Sequence, residues 1–487
     1  MLIGRKELLC FTAILLLLGG GIGYYASGGP SPNPNPSQIG SVWTGTDLYP
    51  TGHIYLGAGG VDVNPILEHP ETEASYIIWP NDPVTPTLYY AKDGTTGTVT
   101  SNANLTPLIS GLIANQTAFT FKAGAYTIGT ITLTGYYGVS FLGEVYPYTK
   151  TIGTILTLAS GTNSDMFKAT SGGSFSFTNL ILKGNKGLNT WGFAINFDSV
   201  DAVHVENVNV FEFKGAGIVI IDGAESVIEN VVSRDNDDDG LYILQENSVI
   251  RDCVTSHNLG NGFTFSWKGL SVENCIAYLN NKNGFNVATL VDSTFVSCRS
   301  WANDFHGFNI VTSENNAFMS CLAASNSNAA NNTYYGMKID NSNGTRVIGG
   351  EYCSNTLYWW SIQQHGIKDD GVYAVNNKIY GAIGYGNNAE NFYVFNAGDR
   401  ITDCVGFIDI NSGSTTIASG TTSANVTHGL GYVPDANDII CSYGENPTND
   451  AGSLYWDNFT AFQFTVHCLR DPGASNLDIV WSARRTP

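Results

Sequence analysis

The chain has 487 residues, of which 13% are charged, and its 22 Lys and Arg against 42 Asp and Glu give a formal net charge of −20. That balance excludes a nucleic-acid backbone as partner, because phosphate binding needs clustered cations, and it sets the surface against polyanionic glycans unless a cation bridges the two. With 55 Gly, 25 Tyr and 24 Phe, the composition favours strands and turns over long helices.

Arg5 and Lys6 precede an apolar run from Leu8 to Ala26, just long enough to span a bilayer. It reads either as a signal peptide cut near Ala26 and Ser27 or as a membrane anchor with its positive flank in the cytoplasm. Both alternatives make the protein secreted or cell-surface. Residues 28–50 form a Pro/Gly/Ser linker, opening with the extended stretch Gly28 to Ser37, and residues 51–115 form an N-terminal capping region. Sequons at Asn104, Asn115, Asn331, Asn343, Asn425 and Asn458 are glycosylation acceptors in a host with that machinery.

From residue 116 a repeat takes over. A glycine followed by an apolar-x-apolar step recurs at Gly217, Gly240, Gly262, Gly284, Gly307 and Gly336, with spacings of 23, 22, 22, 23 and 29. Asn236, Asn258, Asn280, Asn303 and Asn326 run in phase with it. So do an apolar file of Val231, Cys253, Cys275, Cys298 and Cys321, and another of Ile228, Ile250, Val272, Phe295 and Phe318. Just before the cysteines stand Asn230, Asp252, Asn274, Ser297 and Ser320, residues that bond locally and favour turns. A 22–23-residue period with three short strands and no helical periodicity predicts one coil of a β-solenoid, with equal positions stacked about 4.8 Å apart. The amides should then form a ladder and the thiols should be small buried apolar groups rather than disulfides.

Phe175-Ser-Phe-Thr-Asn-Leu180, Gly192-Phe-Ala-Ile195 and Val203-His-Val-Glu-Asn-Val208 continue the pattern upstream. Together with Phe121-Lys-Ala-Gly-Ala-Tyr-Thr-Ile128 and Gly138-Val-Ser-Phe-Leu-Gly143, these segments resemble the right-handed parallel β-helix, pectate-lyase-like superfamily over about residues 116–400. The resemblance implies an all-β fold, a right-handed parallel β-helix over 116–405. It leaves function open among lyases, hydrolases, epimerases, tailspikes and adhesins, and oligomeric state open between monomer and homo-trimer. Residues 421–434, with His428-Gly-Leu-Gly431, resemble a β-sandwich module at the ends of phage tail-fibre and surface proteins. A C-terminal antiparallel β-sandwich is expected over 406–487, with Cys441 and Cys468 as its disulfide and Cys353 with Cys404 as a second pair.

Three features bear on chemistry. Asp235, Asp237, Asp238 and Asp239 crowd one turn. They are readable as a solvated turn, as a Ca²⁺ site through Asp235, Asp237 and Asp239, or as a catalytic set of Asp237, Asp238 and Asp239 with His257 one coil away. Of the motifs that β-helix galacturonases carry, the Gly-His-Gly and Arg-Ile-Lys are missing from the matching coils. Glu206, Glu229, Arg251 and Glu273 share an outward file, read as a charge ladder. Tyr278 and Trp301, with Arg251, are candidate glycan contacts, and Tyr358, Trp359 and Trp360 are read as a cap. Because no complete catalytic set assembles, the preferred reading is a glycan-binding, adhesive or structural surface protein. A polysaccharide lyase or glycoside hydrolase is the alternative.

Overall fold

The computed structural model describes residues 75–144, 153–354 and, with short gaps, 362–484, together with the strand pair Ile54–Tyr55 and Asp62–Val63. The apolar run Leu8 to Ala26, the Pro-rich stretch, Tyr358 to Trp360 and Gly429 to Gly431 lie outside the described residues. Among the described residues no helix is long and apolar enough to cross a membrane. Residues Met1–Pro70 and Glu71–Pro487 are separate units.

The second unit is mostly a parallel β-helix, and the repeat explains why. Val227 pairs with Val249, which pairs with Ser271, Thr294, Ala317, Arg346, Lys378 and Arg400 in succession, always in parallel. This is the first of three files of strands. The second runs through Val232–Arg234, Val254–Ser256, Ile276–Tyr278, Arg299–Trp301 and Leu322–Ala324. The third is an eleven-stranded sheet from Ile131–Thr132 to Phe392–Val394. The turn between the first two files is made by Asn230, Asp252, Asn274, Ser297 and Ser320, all left-handed at φ between +50° and +55°. That conformation is most accessible to short polar side chains, which is why the column carries them.

The asparagine file is a continuous amide ladder. Nδ2 of Asn236 donates to Oδ1 of Asn258 at 3.0 Å, Asn258 to Asn280 at 3.0 Å, Asn280 to Asn303 at 2.9 Å and Asn303 to Asn326 at 2.9 Å. Gln363 takes the next rung, accepting from Asn326 at 3.1 Å and donating to Asn387. The Gly-x-apolar column exists to make room for this ladder: a Cβ on Gly284 would stand 2.8 Å from both Nδ2 of Asn303 and the carbonyl oxygen of Gly307. Inside, Phe263, Phe285 and Phe308 stack with centroids 4.8 and 4.7 Å apart, and Phe295 stacks on Phe318 at 4.5 Å. Cys253, Cys275, Cys298 and Cys321 are fully buried free thiols, each bonding to a carbonyl of the preceding coil at 3.5–3.6 Å.

A second buried polar file precedes the first strands: Ser226, Ser248, Ser293, Asn316, Thr345, Asn377 and Asp399. Several of their side-chain oxygens satisfy the backbone N–H one coil back, as Ser293 does for Leu270 and Asn377 for Thr345. At the N-terminal end, antiparallel strands Tyr76–Pro80, Tyr89–Asp93 and Val99–Asn102 run into a short helix, Leu105–Ser110. Asn104 caps that helix by accepting from the N–H of Thr106. Leu105, Leu108 and Ile109 plug the core of the first coils.

The C-terminal module consists of two three-stranded antiparallel sheets around their own core of Ile417, Val426, Phe464, Val466, Ile479 and Trp481. The expected Cys441–Cys468 disulfide is not formed: both thiols are free, Cys441 opposite Trp481 in one sheet and Cys468 opposite Leu454 in the other. Cys353 and Cys404 are free as well.

Candidate functional site

Coil stacking decides what the acidic turn can do. The Asp237 carboxylate is clamped by two ammonium groups, Lys186 on Oδ1 and Lys214 on Oδ2, each at 2.7 Å. Partial burial alone would raise its pKa, but these two bonds outweigh it and hold Asp237 below the ordinary carboxylate range. Asp239 is 5% exposed; its Oδ1 accepts from the Asn261 N–H at 2.6 Å and its Oδ2 from the Thr264 hydroxyl at 2.6 Å. Burial pushes its pKa up, partly offset by those bonds. Asp238 is exposed and Asp235 half-buried. The carboxylates therefore do not converge, and among the described residues they form no group able to share a metal ion. His257 lies at the position equivalent to Asp235, both with left-handed backbones, and its ring meets Tyr278 edge-on at 5.9 Å rather than any carboxylate of the turn.

Tyr278 and Trp301 occupy the same outward column of the second file, paired by register, and their rings stack at 5.3 Å with planes 12° apart. A parallel stack along the axis covers ring faces and leaves edges to solvent, so Tyr278, bounded by His257 and Trp301, offers no free face. Trp301 does: the next rung of the column is Ala324, which carries no ring. Arg251 is not brought to these aromatics, since it stands on the first file and pairs with Glu229.

A further cluster escapes the repeat pattern. The column of Asp239 continues through Asn261 and Asn283 to His306, linked by bonds from the Asn283 and His306 N–H groups to the preceding asparagine oxygens at 3.1 Å. His306 Nδ1 accepts from the Tyr335 N–H at 3.0 Å, placing the ring proton on Nε2. Its ring lies on Tyr335 at 4.9 Å. Burial, followed by the charges of Lys338 and Lys368, drives the His306 pKa down to about 3, so the imidazole is neutral. Lys368 sits 4.9 Å over the Tyr335 ring, donates to its hydroxyl at 3.2 Å and pairs with Asp370 at 2.5 Å. Lys338 pairs with Asp340 at 2.7 Å. The outward alignment of Lys338 with Lys368 on the third sheet was the available signal, and the 29-residue coil before Gly336 hid it.

Residues 221–351 match the family described as right handed beta helix region. Among solved structures the chain is similar to the Dettilon tailspike protein, at 11% identity over 76% of this chain and 88% of that one, with a TM-score of 0.51. It is also similar to the A-module of Azotobacter vinelandii mannuronan C-5 epimerase AlgE4, at 16% identity over 59% of this chain and 86% of that one, with a TM-score of 0.49. Pectate lyase Pel9A is a third, at 15% identity over 61% and 73% with a TM-score of 0.33. No curated protein matches. At these identities the likeness concerns fold alone. Parallel register, stacked ladders and the matched region together identify the chain as a right-handed parallel β-helix protein with a C-terminal antiparallel module.

Proposed function

We propose that this is an exported surface protein whose β-helix binds a glycan on its outer face without cleaving it. The observation that carries this reading is the partly exposed Trp301, backed by Tyr278 at 5.3 Å and followed by Ala324 on the next rung. A braced indole with one bare face is a platform for the apolar side of a sugar ring, and the straight column beside it accommodates further residues of a chain. The state of the acidic turn supports the non-catalytic part. Two-carboxylate glycoside hydrolysis needs a free acid and a free base, whereas Asp237 is neutralised by Lys186 and Lys214 and Asp239 is enclosed. Titration calorimetry of the full chain against plant, algal and microbial oligosaccharides tests it. Trp301→Ala should weaken binding about 10-fold or more, roughly 1.4 kcal/mol. Trp267→Ala, an exposed indole on the third sheet, should leave binding unchanged. Equal affinity in wild type and Trp301→Ala overturns the reading.

One observation favours polysaccharide cleavage as a second reading. In the His306 cluster a neutral imidazole, a phenol and two ammonium groups meet on one face, the components of proton transfer beside an acidic sugar. Under that reading the full chain depolymerises an acidic polysaccharide and Lys368→Ala lowers the rate about 100-fold, within the range of a lost proton-transfer or charge-stabilising group. A chain that binds such a polymer and leaves its length unchanged supports the first reading.

A further inference from the structure

The outward column of the first file holds an arrangement that the glycan reading does not use. His204 and Glu206 stand on one strand and Glu229 is the register partner of Glu206 on the next coil. His204 Nε2 lies 3.7 Å from Glu206 Oε2 and 3.8 Å from Glu229 Oε1, too far for hydrogen bonds, and the nitrogen is enclosed with no hydrogen-bond partner. One ligand atom from each residue falls within 4.8 Å of the other two. The outer oxygens are held from behind: Glu206 Oε1 accepts from Asn207 Nδ2 at 3.4 Å, and Glu229 Oε2 takes both nitrogens offered by Arg251. Each glutamate thus keeps its other oxygen for a common centre, and the supporting donors fix its orientation as outer partners of metal ligands do.

We propose that His204, Glu206 and Glu229 form a site for a divalent transition metal, Zn²⁺ in particular, on the outer face of the first file. A tetrahedral zinc with ligand bonds near 2.0–2.2 Å needs its donor atoms about 3.4 Å apart, so the imidazole nitrogen has to approach each glutamate oxygen, now 3.7 and 3.8 Å away, by only a few tenths of an ångström. The imidazole selects against Ca²⁺ and Mg²⁺, which prefer all-oxygen shells. Two carboxylates on adjacent rungs with an unbonded imidazole nitrogen between them are a poor arrangement without a cation, and a good one with it. Three protein ligands leave a fourth position for water or for a sugar carboxylate, which gives this acidic surface a route to an acidic glycan.

The test is equilibrium dialysis of metal-stripped full-length protein against Zn²⁺, with metal counted per chain. One ion is expected in the wild type. His204→Ala and Glu229→Gln should each weaken its binding about 10-fold or more, and His467→Ala, which disrupts the other His–carboxylate pair at Asp457, should leave it unchanged. All three positions are at least partly exposed, so the fold survives the changes, and unchanged melting of the metal-free variants confirms it. No zinc in the wild type, or equal binding in wild type and His204→Ala, overturns the proposal.

Discussion

Replacing Asn280 by alanine should cost about 2–5 kcal/mol of stability, the expected price of orphaned buried donors. The Oδ1 of Asn280 accepts from both the N–H and the Nδ2 of Asn258, at 3.2 and 3.0 Å, and its Nδ2 donates to Asn303 and to the Thr255 carbonyl. Alanine leaves two donors of Asn258 without that acceptor in a file that is fully buried. Asn309→Ala is the matched control, because Asn309 bonds to Asn286 in the same coil-to-coil manner but on the outer, half-buried face. Water replaces the lost partner there, and the change should stay below about 1 kcal/mol. Urea unfolding of the two variants checks the difference, and equal effects would mean the inner ladder is not an energetic unit.

The second large effect is a dependence on pH. Asp369 occupies an inward column, one coil beyond Ile339, and is fully buried. Asn377 joins it to Asp399, donating to Asp369 Oδ1 at 3.2 Å through its side chain and to Asp399 Oδ1 at 2.8 Å through its backbone. Burial, then the charge of Asp399, pushes the Asp369 pKa up to about 8. In the unfolded chain the same carboxyl releases its proton near the ordinary value of about 4. Between those values the fold retains a proton that the unfolded chain has given up. Its contribution is therefore complete below about pH 4, declines through the interval by at most about 1.4 kcal/mol per pH unit, and is gone above about 8. Asp369→Asn removes the titration. The variant should match wild type near pH 4 and exceed it at pH 8, as read from unfolding midpoints. Parallel pH profiles for the two proteins would contradict the assignment.

The β-helix was legible because its determinants recur at a fixed interval. Asn258, Asn280 and Asn303 repeat every 22–23 residues because an amide ladder tolerates few substitutes, and the cysteines because a small apolar group fits each coil. The file from Ser226 to Asp399 obeys the same geometry but was missed. Its job, accepting one backbone N–H, is done equally well by serine, asparagine or aspartate, so no single letter repeats.

The candidate sites were less legible, since they depend on residues outside the period. The acidic turn could be seen, but the lysines that neutralise it could not. Lys186 stands 51 residues from Asp237, after the strand Ser176–Lys183 and outside any regular rung. Tyr278 and Trp301 could be singled out as outward aromatics, yet only the register shows that they share a column and that the rung after Trp301 carries no ring.

A crystal structure with an oligosaccharide that the full chain retains is the most direct test of glycan recognition by the outer face. A sugar ring is expected against the indole of Trp301, on the side of Ala324, with the chain running along the second file of strands. Sugar bound only on the terminal module, or only at the His306 cluster with Trp301 bare, would contradict it.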